Sequence, residues 1–96
     1  NLENITSIKN QMIMACEIAN CKVLDTKFHQ FGSTNGVTGV VLLQESHMSI
    51  HTWPEYSYAA IDIFVCGNTF PNEAIEILKL FFKPKEFKIK NLRRGV

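Results

Sequence analysis

Between Glu45 and Glu55 the chain concentrates side chains of the kinds that attack carbonyls and move protons: Glu45, Ser46, His47, Ser49, His51 and Glu55, with Cys66 following at the end of the next apolar run. Taken singly, each has an ordinary use. A serine between strands is a turn residue, a histidine on a polar strand face is solvated, and a strand-end cysteine is a small hydrophobe. His47 and His51 stand four apart, a spacing that gathers two imidazoles around one metal ion on a helix. Their segment alternates like a strand, however, where Ser49 lies between them and they are too far apart to chelate closely. No metal is expected there.

The elements that must position this cluster follow from the apolar spacing. From Ile5 to Ala19 the residues Ile5, Ile8, Met12, Ala15, Cys16 and Ala19 recur at steps of three and four, an amphipathic helix with Asn4 or Thr6 available as N-cap. Cys21 to Phe31 reads as a strand ending in the turn cluster Gly32 to Gly36. Val37 to Leu43 is β-branched and nearly all apolar, as in a strand covered on both faces, and His47 to Trp53 alternates strictly. Two strands therefore flank Gln44, Glu45 and Ser46. After Trp53-Pro54-Glu55 breaks the pattern, Tyr58 to Val65 alternates again and ends at Cys66-Gly67. Pro71 opens a second helix with a stripe of Ala74, Ile75, Leu78, Phe81 and Phe82, and Phe87 and Ile89 alternate with lysines in a last strand. The order helix, four strands, helix, strand lacks a βαβ alternation. It predicts an α+β fold, a two-layer α/β sandwich with a mostly antiparallel sheet and both helices on one face. The other face then needs a cover, and a partner subunit is the simplest one.

Composition narrows the functions. With 96 residues, 46% hydrophobic and 20% charged, the chain is one small domain rather than a multi-domain enzyme. Ten Lys and Arg against nine Asp and Glu give a net charge of +1, without the basic excess that nucleic-acid binding requires. No apolar run reaches the roughly 20 residues of a membrane span, and no secretory signal opens the chain. Cys16, Cys21 and Cys66 are odd in number and form no CxxC, which fits a reducing cytoplasm and neither a disulfide framework nor a zinc site.

The whole string carries more than its parts. Gly36-Val37-Thr38-Gly39, then Gln44-Glu45-Ser46-His47-Met48-Ser49-Ile50-His51-Thr52-Trp53-Pro54-Glu55, then Tyr58 to Gly67, resembles the bacterial and archaeal S-adenosylmethionine decarboxylase family, closely over residues 28 to 67 and loosely over the flanking helices. That resemblance implies a self-processing proenzyme. Ser46 attacks the carbonyl of Glu45, the amide becomes an ester, and elimination cleaves the chain into a β chain of residues 1–45 and an α chain of residues 46–96 that begins with a pyruvoyl group. By the same resemblance His51 is the processing base, the hydroxyl of Thr38 supports the intermediate where many relatives have serine, and Cys66 is the proton donor of the decarboxylation. Glu55 holds the ribose hydroxyls of S-adenosylmethionine, and Phe31, which reads equally as a core aromatic, matches the ring that stacks on its adenine. The family also implies a homodimer, with sites near the interface, dimerising the sheet into a larger sandwich.

Relatives usually carry another strand ahead of the first helix, and the residues before Ile5 are too few to supply it, so an N-terminal strand is expected to be missing here. Two other functions fit the same residues: a pyruvoyl-dependent decarboxylase of arginine or ornithine, and an uncleaved relative that binds a subunit or metabolite. A nucleoside substrate uses a diol acceptor and a stacking ring, so Glu55 and Phe31 favour S-adenosylmethionine, whose decarboxylated product is the aminopropyl donor of spermidine synthesis.

Overall fold

A computed structural model of the chain describes residues 2–44, 46–65 and 70–84. Helix α1 (Ile5–Ile18) starts at Asn4, whose side-chain oxygen accepts a hydrogen bond from the Ser7 backbone N–H at 3.0 Å and satisfies one first-turn donor. Its stripe of Ile8, Met12, Ala15 and Cys16 is fully buried. Four strands follow: β1 (Val23–Gln30), β2 (Val37–Leu43), β3 (Ser46–Trp53) and β4 (Tyr58–Phe64), each antiparallel to the next in the order β1-β2-β3-β4. A 3₁₀ turn, Pro54–Tyr56, makes the break between β3 and β4. Helix α2 (Pro71–Phe82) has proline in its first turn with Glu73, and Lys79 in its last, as the helix dipole favours.

Helix α1 lies across β1 and β2, and α2 lies beside α1. Ala74 and Leu78 of α2 join Ile8, Met12 and Cys16 of α1 and Val37, Val41, Met48 and Ile50 of the sheet in one core. The architecture is the expected α+β two-layer sandwich. Burial alternates along β2 and β3 because the helices cover one face only. This corrects the reading of β2 as covered on both faces: Val37, Gly39, Val41 and Leu43 are buried, whereas Thr38 and Val40 are half-buried and Leu42 is exposed. Nothing among the described residues lies over that second side.

The strand expected over residues 21–31 is shorter at both ends. Phe31 has already left β1, because its N–H donates to the Gly36 carbonyl at 2.8 Å and its own carbonyl accepts from Asn35 N–H at 2.9 Å, closing the turn. Asn35 takes a left-handed φ of 60°, which asparagine tolerates well. Two glycines are needed for close approach. A Cβ on Gly36 would stand 2.7 Å from the Thr52 carbonyl oxygen, and one on Gly39 would fall inside the ring of Phe28, which lies over it. The buried hydroxyl of Thr52 accepts from Val37 N–H and donates to the Leu2 carbonyl, both at 2.8 Å, and so joins the chain ahead of α1 to β2 and β3. The last expected strand, over Phe87 to Lys90, lies outside the described residues, as do Glu45 and Cys66.

Candidate active site

Side chains that alternate away from the helices form rows across the open face of the sheet. The register places His29, Thr38 and His51 in one row, Lys27, Val40, Ser49 and Asp62 in the next, and Leu42, His47 and Phe64 beyond. All three histidines of the chain are on this face.

Thr38 and His51 are directly paired, and Thr38 Oγ1 is hydrogen-bonded to His51 Nδ1 at 3.2 Å. That contact occupies Nδ1 and leaves Nε2 for proton transfer. Trp53, two residues on and on the same face, packs against His51 with ring centroids 6.0 Å apart and against Tyr58 at 5.4 Å. The 3₁₀ turn carries Glu55 past the end of β3, and the turn after β1 brings Phe31 to the same end. Phe31, Thr38, His51, Trp53 and Glu55 thereby line one open cleft of about 380 Å³, completed by Ser33, Thr34 and Thr52. At 47% exposure Phe31 is a rim residue and not a core aromatic.

Ser46 is not at this cleft. It opens β3 five residues before His51, roughly 16 Å away along a strand, and its parity places it with Met48 rather than with His51. Leu43 pairs with Ser46, so only Gln44 and Glu45 join β2 to β3, and Ser46 Oγ donates to the Gln44 carbonyl oxygen at 3.5 Å. Beside it His47 is stacked on Phe64, with centroids 5.6 Å apart and planes at 4°. The structure therefore gathers Thr38, His51, Glu55 and Phe31 at one end of the open face and holds Ser46 at the opposite end of the sheet, on the parity of the covered face.

Cys16 belongs to neither group. Its thiol donates to Met48 Sδ at 3.9 Å in the core, and burial first, then the nearby Cys21 and Glu17, push its pKa up to about 12. Among the described residues no three His, Cys, Asp or Glu side chains converge as a metal site would require, and no helix is long and apolar enough to cross a membrane.

The sequence reading missed His29 and Trp53. Alternation alone places His29 on the face of Phe31, and Trp53 on that of His51. The Thr38–His51 pair was not legible, since a three-residue link of Gln44, Glu45 and Ser46 would set Thr38 opposite Thr52, and only the inclusion of Ser46 in β3 shifts the register by one and brings Thr38 opposite His51.

Residues 1–95 match the family model described as S-adenosylmethionine decarboxylase. The chain is 40% identical over 96 residues to the S-adenosylmethionine decarboxylase proenzyme of Thermodesulfovibrio yellowstonii, covering 99% of this chain and 70% of that one. It is 44% identical over 98 aligned positions to the proenzyme of the same name from Sulfurihydrogenibium sp., covering 99% and 71%. The crystal structure of the adenosylmethionine decarboxylase from Aquifex aeolicus superposes with a TM-score of 0.76 at 34% identity, over 84% of this chain and 67% of that one. The hairpin that presents Ser46, the paired Thr38 and His51, and these matches along nearly the whole chain lead to one conclusion: the chain belongs to the S-adenosylmethionine decarboxylase family.

Proposed function

We propose that this chain is a self-processing decarboxylase of S-adenosylmethionine whose pyruvoyl group is made from Ser46. The observation that carries the reading is the single cleft that joins a hydrogen-bonded Thr38–His51 pair to an aromatic ring, Phe31, and a carboxylate, Glu55. A ring and a two-oxygen acceptor at one rim suit the base and the diol of a nucleoside.

In processing, the Ser46 hydroxyl attacks the Glu45 carbonyl carbon; the amide C–N bond gives way to an ester, and the freed amine takes the proton. Elimination then takes the Ser46 Cα proton and breaks the Cβ–O bond, which leaves residues 1–45 ending in the Glu45 carboxylate and residues 46–96 beginning with a dehydroalanine, whose imine tautomer adds water and releases ammonia to give the ketone. His51 serves as the base, with Thr38 fixing its tautomer and supplying a donor to the developing oxyanion. Ser46 fits this task, since it stands at a two-residue junction with its hydroxyl beside the preceding backbone. Once formed, the pyruvoyl ketone supplies an electron sink for loss of carbon dioxide. Cys66 returns the proton. Phe31 and Glu55 hold the nucleoside. The product serves as an aminopropyl donor for polyamine synthesis, in a reducing cytoplasm that suits the buried thiol of Cys16.

Ser46 and the cleft lie at opposite ends of β3, which argues for a homodimer. Two copies packed open face to open face about a two-fold axis bring the Ser46 end of one over the cleft of the other, and cover Val40 and Leu42.

The denatured mass of the purified protein tests the proposal. Two fragments meeting between Glu45 and Ser46, the second lacking a free amino terminus, together with carbon dioxide release from S-adenosylmethionine, are expected; Ser46→Ala stays one chain. A parent protein that remains uncleaved overturns the reading and leaves a binding relative, and cleavage with release from arginine or ornithine alone transfers it to those substrates.

A further inference from the structure

Phe31 is pinned through its backbone on both sides, by the Gly36 carbonyl and by Asn35 N–H. Its ring, however, is nearly half exposed, and an exposed phenyl with two free torsions loses rotamer freedom when a ligand stacks on it. A ring from the end of β1 restrains it. The His29 imidazole meets the Phe31 ring edge to face, with centroids 4.8 Å apart and planes at 79°. His29 is itself held in β1 opposite Thr38, so the row His29, Thr38, His51 runs from the aromatic rim of the cleft to its imidazole.

We propose that His29 is a positioning residue for ligand binding: its ring, braced by β1, sets the plane of Phe31 and so pre-orients the wall on which the adenine of the substrate stacks. The inference rests on the nucleoside reading of the cleft. Its chemistry is that of an aromatic pair, in which the quadrupoles favour the near-perpendicular arrangement and no proton transfer is involved. His29 touches neither the substrate nor the bond that is cut. Its side chain is exposed, so its removal leaves the core intact.

Trp53 is the chain's single tryptophan and lines the cleft, so its fluorescence reports occupancy without turnover. The experiment titrates 5′-methylthioadenosine into the full chain and into His29→Ala, His29→Leu and His29→Phe, each also assayed for cleavage, for kcat and KM with S-adenosylmethionine, and for sedimentation mass. The expected result is a Kd and a KM raised about threefold to tenfold in His29→Ala and His29→Leu, the worth of one aromatic pair. Cleavage, kcat and sedimentation mass stay at the parent values, and His29→Phe returns both constants to within about twofold of the parent. Equal Kd values in parent and His29→Ala overturn the proposal, as does a His29→Phe variant no better than His29→Leu. A His29→Ala protein that fails to cleave or changes its sedimentation mass assigns the residue to processing or assembly and also overturns it. Failure of the nucleoside to perturb Trp53 in the parent removes the nucleoside reading itself, a different result from equal binding in both.

Discussion

The hydroxyl of Thr38 is worth more than its methyl. Thr38→Ser keeps the hydrogen bond to His51 and is expected to cleave at least as fast as the parent. Thr38→Val keeps the shape and removes the donor, and is expected to slow cleavage by about 10²-fold or more, the usual cost of one oxyanion donor. Mass spectra taken over time after expression read both. Cys16 gives a pH signature of a different origin. Its folded pKa of about 12 lies above the ordinary 9.0, so the folded state holds a proton that the unfolded chain gives up as pH rises past 9. The stability tied to that thiol is complete below pH 9 and falls between pH 9 and 12, by at most about 1.4 kcal/mol per pH unit. Cys16→Ala is expected to show a shallower loss of melting temperature between pH 7 and pH 10 than the parent, whatever its stability at neutral pH.

Among the elements, the β1–β2 pair depends on the space over Gly39. Gly39→Ala drives a methyl group into the Phe28 ring and is expected to cost about 1–3 kcal/mol in urea unfolding, as overpacking does. Phe28→Leu in the same chain should recover part of that cost, so the pair departs from additivity. Much of this architecture was legible beforehand. The α1 stripe and the alternation of β3 follow from side-chain period, which one buried face enforces, whereas β4 is at most half-buried throughout and α2 packs Ile77 rather than Ile75 against the core. What stayed hidden had physical causes. β2 reads as doubly covered because Val40 and Leu42 are apolar, yet the chain itself supplies only one layer, and a sequence does not distinguish a neighbouring helix from a neighbouring molecule. Phe31 was legible as a ligand ring or as core, and only the turn closed by Gly36 and Asn35 takes it out of the strand and to the rim. The residue types at the site were readable, but their division between the two ends of the sheet depends on register.

At the scale of the whole molecule, that division makes a prediction about assembly. If Ser46 of one copy works with Thr38 and His51 of another, two dead chains complement each other. Coexpressed Ser46→Ala and His51→Ala proteins are expected to yield about a quarter of the parent decarboxylation, since half of the randomly formed dimers are mixed and each mixed dimer holds one intact site. Carbon dioxide release from the purified mixture measures it. No activity from the mixture would place the whole site within one chain.

The sheet is a plain meander, and the bond proposed for cleavage lies at its central turn. One fragment keeps α1, β1 and β2; the other keeps β3, β4 and α2. The β2–β3 ladder and the α1–α2 contact both cross the cut, so the pieces stay interlocked with no peptide bond between them. The uncut chain reaches its own fold at a rate indifferent to concentration, and concentration enters only when it pairs with a second copy. The cut one, once unfolded, has to find its other half by diffusion, so its melting temperature rises with protein concentration and its refolding becomes second order. Cleavage thus turns a unimolecular folding problem into a bimolecular one, and the molecule must be folded before it is cut.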